Sequence, residues 1–292
     1  MRHRYLIVGC GYVGTRLARH LPAGTVLALA RDAARARQLA ALGLVPVRGD
    51  LDAPASLRRL PPVETVFHLA PPPDGGDSDP RTRHLLAGLA RPGRRPRRLV
   101  YVSTTGVYGN RAGDWLDEHT PIQPQTPRAR RRVDAEAQLR AFGRAYDVAV
   151  VILRVPGIYG PGRLPLEKLR QGQPVVDYDP PHYGNRIQVD DLVRALLAAA
   201  RRGRPNRLYI ASDGRPATQA DFLDALAAAA GLPPPPHITP AEATARLSPL
   251  TLSFLAESRR LQNRRLREEL GVQLRYGDFR RGIEASLSGE MR

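Results

Sequence analysis

Lysine is almost missing from this chain. Of its 45 cationic side chains one, Lys168, is lysine and all the others are arginine. The same sequence is rich in alanine and proline, which points to a coding bias toward arginine rather than a selected basic stripe. The formal charge of +17 is spread along the whole chain. Clustered cations would release counterions on meeting a polyanion, but scattered ones give only nonspecific attraction. No specific nucleic-acid partner is therefore expected. The single cysteine, Cys10, excludes an internal disulfide framework and any multi-cysteine zinc site, so no metal is expected and a reducing cytosol is the natural compartment. Long apolar runs are also lacking. MRHR leads directly into YLIVGCGYVG, too short and too glycine-broken for a signal segment, and no later stretch reaches membrane-spanning length. The expectation is a soluble cytoplasmic protein.

What is present is alternation. Short β-branched runs trade places with helical patterns through the first half, the mark of a parallel sheet covered on both faces. The runs predict strands at residues 5–8, 25–30, 44–48, 65–69, 98–103 and 148–154. Helices are predicted over 14–20, 33–41, 81–89, 127–142 and 189–200, with Leu192, Val193, Leu196 and Leu197 on one face of the last. A further strand is read at 207–211. PPPDGGDSDP (71–80) has too much Pro, Gly and Asp for a regular element and reads as a mobile loop. The predicted class is α/β, a Rossmann doubly wound parallel sheet with a smaller C-terminal substrate-binding lobe. Its parts are 1–155 with 187–211 as the dinucleotide-binding domain, and 156–186 with 212–292 as the lobe.

The strongest local motif lies between the first strand and helix, where Gly9, Gly11 and Gly14 form G-x-G-x-x-G. The first glycine permits the turn, the second lets backbone approach a pyrophosphate, and the third allows helix and strand to pack closely. Tyr12 and Val13 fall in the same turn and are expected at the cofactor. The second strand ends at Arg31, with Arg35 and Arg37 following. A carboxylate at this tip would bind a ribose 2′-hydroxyl, whereas arginine accommodates a 2′-phosphate. This favours NADP, and Asp32 keeps NAD as the alternative.

Several stretches, taken in order, resemble the extended branch of the short-chain dehydrogenase/reductase superfamily, of the NAD-dependent epimerase/dehydratase type. Asp50 and Leu51 in RGDL resemble the pair that meets adenine. VFHLA, ending in Leu69 and Ala70, resembles the fourth-strand signature, and YVSTTGVYG the segment carrying the catalytic Ser or Thr, here Thr104. LRVPGIYGPG, with Pro156, resembles the strand end beside the nicotinamide, and RIQVDDL the stretch that returns to the cofactor domain. The resemblance runs to about residue 211. His68 reads as a hydrogen-bonded core residue, Asp190 and Asp191 as helix caps, and Tyr108 and Tyr159 as cleft-lining residues; the substrate proton would come from Tyr108, Tyr159, Tyr183, His182 or water.

One departure stands out. The resembled family carries a Tyr and, four residues later, a Lys on one helical face; the Tyr exchanges the substrate proton, and the Lys tunes it and holds the nicotinamide ribose. Aligning Ala135 and Glu136 with the Ala-Glu that closes that motif puts Arg128 at the Tyr position and Arg132 at the Lys position. Slipping the register does not rescue it, because Leu164 stands four residues before the only lysine. Arginine stays protonated near neutrality and cannot exchange that proton. Its planar fork can still grip anions: Arg132 the ribose region, Arg128 and Arg186 an anionic group of the substrate. Arg130 and Arg131 are expected to face solvent or a partner subunit. The reading is an oxidoreductase or epimerase-like enzyme with an atypical site, in which Thr104 polarises the substrate oxygen, acting on a carbonyl or alcohol such as a nucleotide sugar or another anionic small molecule. The alternative is a non-catalytic NADP(H) sensor or scaffold. The resemblance also implies a homodimer.

Overall fold

A computed structural model describes residues 4–248, 251–252 and 255–290. Strands β1 (Tyr5–Val8), β2 (Val26–Ala30), β3 (Val45–Arg48), β4 (Thr65–His68), β5 (Arg98–Thr104), β7 (Ala149–Val155) and β11 (Arg207–Ile210) form one seven-stranded sheet. Its order is β11-β7-β5-β4-β1-β2-β3, and every pairing is parallel. Because side chains alternate across a strand, the continuous apolar runs feed two cores. Ile7, Phe67, Val100, Val151 and Leu153 point to one face. Their neighbours Leu6, Val8, Val66, Leu99, Val150 and Ile152 point to the other.

Helices close both faces. On the first lie α1 (Tyr12–Ala18) and α6 (Val189–Arg202), the latter burying Leu192, Val193 and Leu196. On the second lie α3 (Pro80–Leu89) and α4 (Pro127–Tyr146), which bury Leu85, Leu86, Leu89, Leu139 and Phe142. Each fully buried Leu or Phe contributes roughly 1.5–3 kcal/mol, which is why packing rather than propensity holds so arginine-rich a helix as α4. Three of the helices start on the side-chain caps that follow. Asp32 accepts from the Arg35 amide to open α2 (Ala33–Ala41), Asp79 from Thr82 to open α3, and Thr126 from Ala129 to open α4, whose first residue is Pro127.

After β7 the chain builds a smaller core from Tyr159, Leu169, Val175, Phe222, Leu226, Phe279 and Ile283. Its frame is α7 (Gln219–Ala230), opened by a Thr218/Asp221 capping box, and the last helix, Phe279–Glu290. Short strands β6 (Trp115–Leu116) and β9 (Val175–Val176) and helix α5 (Leu166–Arg170) lie outside the main sheet, and a two-stranded pairing of β8 (Gly157–Tyr159) with β10 (Arg186–Gln188) returns the chain to α6 and β11. Among the described residues no helix is long and apolar enough to cross a membrane.

Three sequence expectations change. Gln188, not an aspartate, caps α6, while the buried Asp191 carboxylate accepts the amides of Arg275 and Tyr276 at 2.9 and 2.7 Å. The 71–80 loop is fastened: Arg131 donates to the Gly76 carbonyl at 2.6 Å, Arg130 pairs with Asp77 at 3.0 Å, and Asp134 receives the Asp79 amide at 2.6 Å. Arg131 is accordingly buried rather than turned to solvent, because the carbonyls of a glycine-rich loop need donors and α4 supplies them.

Candidate functional site

The order of the sheet reverses beside β1, and a crevice opens there at the carboxyl ends of the strands. Its floor is the glycine turn, where the three glycines meet three different constraints. Gly9 has φ +86°, and a Cβ there would lie 2.4 Å from the Ala70 amide nitrogen. At Gly14 it would meet the Gly9 carbonyl oxygen and Ile7 Cγ2 at 3.1 Å each. At Gly11 it would meet no protein atom within 4 Å. One glycine turns the chain, one packs helix on strand, and one leaves its backbone open to the crevice. A dinucleotide pyrophosphate needs those three conditions together, so these residues fit such a cofactor.

The crevice has a volume of about 770 Å³. Gly9, Gly11, Tyr12 and Val13 line it together with Asp50 and Leu51, which follow β3, and Leu69 and Ala70, which follow β4. Arg31 and Arg35 stand at the β2 end. Arg35 also donates to the Cys10 carbonyl, drawing α2 onto the turn. Asp32 lies 3.9 Å from Arg31, but its carboxylate is occupied as the α2 cap, accepting the Arg35 amide at 2.7 Å. Gly14 and Pro156 lie outside the lining.

Sequence reasoning missed other parts of this wall. Arg163, just after β8, places its guanidinium 4.2 Å from the Tyr12 ring centre, and Arg16 places another at 3.9 Å. The Tyr12 hydroxyl donates to the Pro161 carbonyl at 3.0 Å, so the segment after β8 is tied to the glycine turn. Arg81 pairs with Asp52 at 2.7 Å beside Asp50 and Leu51 in the lining. Nothing local in the sequence distinguishes Arg163 from the other arginines.

Helix α4 supplies the far end. Arg132 lines the crevice and donates to the Tyr101 hydroxyl at 3.0 Å and the Val102 carbonyl at 2.9 Å. Arg128, one turn earlier, lies outside the crevice with a guanidinium nitrogen 4.0 Å from Glu257. Four residues of helix span about 6 Å. Glu257 lines a second cavity of about 350 Å³ between β10 and the C-terminal segments, with Asp177, Tyr178, His182 and Arg186 on its walls. The Tyr178 and His182 rings stack there at 3.8 Å. Arg186 is not poised to take an anion. Its donors reach the Ala217 and Thr218 carbonyls, and its guanidinium lies over the Phe222 ring at 4.5 Å, where burial lowers its pKa.

The remaining candidates are engaged elsewhere. Thr104 is half-buried and accepts the Gly106 amide at 3.1 Å, capping the short helical turn Thr105–Tyr108. Tyr108 is fully buried, lines neither cavity, and donates to the Asp117 carbonyl at 2.9 Å; burial pushes its hydroxyl up to about 12. Tyr159 is sealed against the last helix, where only a glycine fits: a Cβ at Gly282 would lie 2.0 Å from its hydroxyl. Burial, with Asp213 next, pushes its pKa far up. His68 lies within hydrogen-bond distance of the Thr82 hydroxyl at 2.8 Å, and burial lowers its pKa to about 3. Cys10 is buried and its thiol is pushed up to about 11, the profile of a packing residue. Among the described residues no cluster of His, Cys, Asp and Glu could hold a metal.

A family model described as the NAD dependent epimerase/dehydratase family matches residues 5–211. A dTDP-D-glucose 4,6-dehydratase of Homo sapiens is 28% identical over 134 residues, 43% of this chain and 38% of that protein. The match therefore spans well under half of that dehydratase's length. A 3-diazoavenalumate denitrifying reductase of a Streptomyces species is 28% identical over 96% of this chain and 99% of its own. Among solved structures, a functionally unknown conserved protein from Silicibacter pomeroyi is 32% identical, covering 98% of this chain and 99% of that one, with a TM-score of 0.82.

Proposed function

The chain belongs to the NAD dependent epimerase/dehydratase family, and on that premise we propose that it is an NADP(H)-dependent oxidoreductase or epimerase-like enzyme acting on a carbonyl or alcohol. One observation carries this reading: a single turn of α4 joins the nucleotide crevice, through Arg132, to the second cavity, through Arg128 and Glu257. A reacting carbon bound between them would lie beside both ligands.

The cofactor, when bound, supplies or accepts hydride at its nicotinamide ring. The chain's own residues hold and orient. Gly9, Gly11, Tyr12 and Val13 receive the pyrophosphate, Asp50 and Leu51 the adenine, and Arg132 the ribose nearest the nicotinamide. Arg31 and Arg35 favour a 2′-phosphate, since Asp32 is already committed to its helix cap. The substrate lies in the second cavity, where nucleotide sugars are the first class to test, because relatives named for dTDP- and UDP-sugars share the family. By the same family likeness we propose a homodimer through α3 and α4, to be checked by sedimentation.

The deciding experiment mixes purified protein with NADPH and a panel of nucleotide sugars and simple carbonyls, following nicotinamide absorbance. Turnover above a cofactor-only blank supports the enzyme. Intact cofactor binding with no turnover across the panel favours the second reading, a non-catalytic NADP(H) sensor, which the missing Tyr and Lys motivate.

A further inference from the structure

We propose that Glu257 is the proton-transferring group of this site, in place of the tyrosine the chain lacks; the inference rests on the enzymatic reading above. It begins from elimination by geometry. Arg128 and Arg132 cannot serve, because a guanidinium group is no proton carrier near neutrality. Tyr108 is spent on the Asp117 carbonyl inside the core, and Tyr159 is sealed beneath Gly282. What remains must line the second cavity and face α4.

Four groups there can titrate. The partners of Asp177 and His182 lie off α4: Asp177 pairs with His237 at 2.8 Å, and the His182 ring stacks on Tyr178 with Nδ1 3.1 Å from the Leu255 carbonyl. Glu257 alone of the four forms an ion pair with α4, at Arg128, whose helix reaches the cofactor crevice one turn later at Arg132. Its other oxygen accepts from Arg259 at 2.7 Å, and Arg259 is anchored in turn on the Gly109 carbonyl at 2.7 Å. The carboxylate is nearly buried, its side chain 13% exposed. Glu257 is thus a carboxylate held in one orientation on the wall of the second cavity, paired with α4 one turn before that helix reaches the crevice, where a substrate hydroxyl in the cavity can come within hydrogen-bond reach of it.

In the oxidising direction the substrate O–H proton passes to a Glu257 carboxylate oxygen. The hydride leaves the adjacent carbon with its electron pair for the oxidised nicotinamide, and the carbon–oxygen bond becomes a carbonyl. In the reducing direction both transfers reverse, and Glu257 returns its proton to the new alkoxide. Arg128 and Arg259 fix the carboxylate, while Asp177, Tyr178, His182 and Arg186 are the other charged or titratable groups of that cavity.

The test uses E257Q and E257A in the full chain. E257Q is expected to bind NADPH as the wild type does, to lose about 10²- to 10⁴-fold in kcat, and to lose the limb of the pH–rate profile that reports the base. Formate added to E257A is expected to restore part of the rate, which a purely structural role would not permit. Calorimetry in buffers of different ionisation heat gives a readout apart from turnover: alcohol binding to the NADPH-loaded protein exchanges a fraction of a proton in the wild type and none in E257Q. A wild type active on some substrate with E257Q within about twofold and an unchanged pH profile overturns Glu257 alone. A wild type that binds NADPH yet turns over nothing overturns the enzymatic reading and this inference with it.

Discussion

Arg154 on β7 grips Glu136 on α4 through two hydrogen bonds, of 3.0 and 2.8 Å, with both side chains only 5% exposed. Ser103 on β5 donates to the same carboxylate at 2.6 Å, and the Arg154 guanidinium lies over the Tyr108 ring. This network locks the turn of α4 that follows Arg132 onto the two strands ending at the site. Removing one partner leaves an uncompensated buried charge, which costs about 3–5 kcal/mol. E136A is therefore expected to lower the urea midpoint sharply, and E136A/R154M to recover much of the loss. Equal stability of E136A and wild type would remove the network from any account of the fold.

The glycine turn separates folding from binding. G11A adds a methyl group where no protein atom lies within 4 Å, so unfolding midpoints should stay close to wild type while NADPH affinity falls at least tenfold. G9A drives a methyl group into the Ala70 backbone at a position with φ +86°, and it should lower stability itself by a few kcal/mol. Isothermal titration beside a denaturation curve distinguishes the two. Undiminished NADPH affinity in G11A would mean that the pyrophosphate does not approach this turn.

The proposed preference for NADP(H) rests on Arg31. Its side chain is 71% exposed at the end of β2, with a 3.9 Å approach to Asp32 as its ion pair. A charge-assisted contact to a 2′-phosphate is worth roughly 1.5–3 kcal/mol, about 10- to 100-fold in affinity. R31A should lose that factor for NADPH and almost none for NADH. Parallel titrations decide it, and equal losses for both cofactors would contradict the 2′-phosphate role.

The sheet and the glycine turn were legible because they are local. Runs such as LIV and VLAL admit one reading, and Gly9, Gly11 and Gly14 carry their spacing with them. The α4 arginines were not, because their identity in the fold depends on partners far along the chain. Arg131 is buried only because Gly76 offers it a carbonyl, and Arg130 finds Asp77 in the same loop. Asp191 looked like a cap for its own helix and serves the backbone at 275–276 instead. Glu257 and Arg163 carried no local signal at all. Each acquires meaning from one contact, with Arg128 and with Tyr12, that only the folded chain creates. The departure at the Tyr and Lys positions, by contrast, was readable, since it rests on residues the chain does not have.

Asp213 gives a pH dependence with a definite sign. It is buried, its Oδ1 accepting the Arg215 amide at 3.0 Å and its Oδ2 without a hydrogen-bond partner among the described residues. Burial raises its pKa from 3.8 to about 7, partly offset by that amide and by Arg186. A carboxyl whose folded pKa exceeds its unfolded value binds more protons folded than unfolded between the two, so stability falls as pH rises across that window. From pH 4 to about pH 7 the wild type should lose stability through this group, and above pH 7 the contribution should level off. D213N cannot ionise. Its unfolding free energy, measured by urea at several pH values, should therefore fall less steeply over the same interval, so that the difference between variant and wild type moves in the variant's favour as pH rises. A difference that stays constant from pH 4 to 8 would mean that Asp213 ionises in the folded protein as readily as in the unfolded chain.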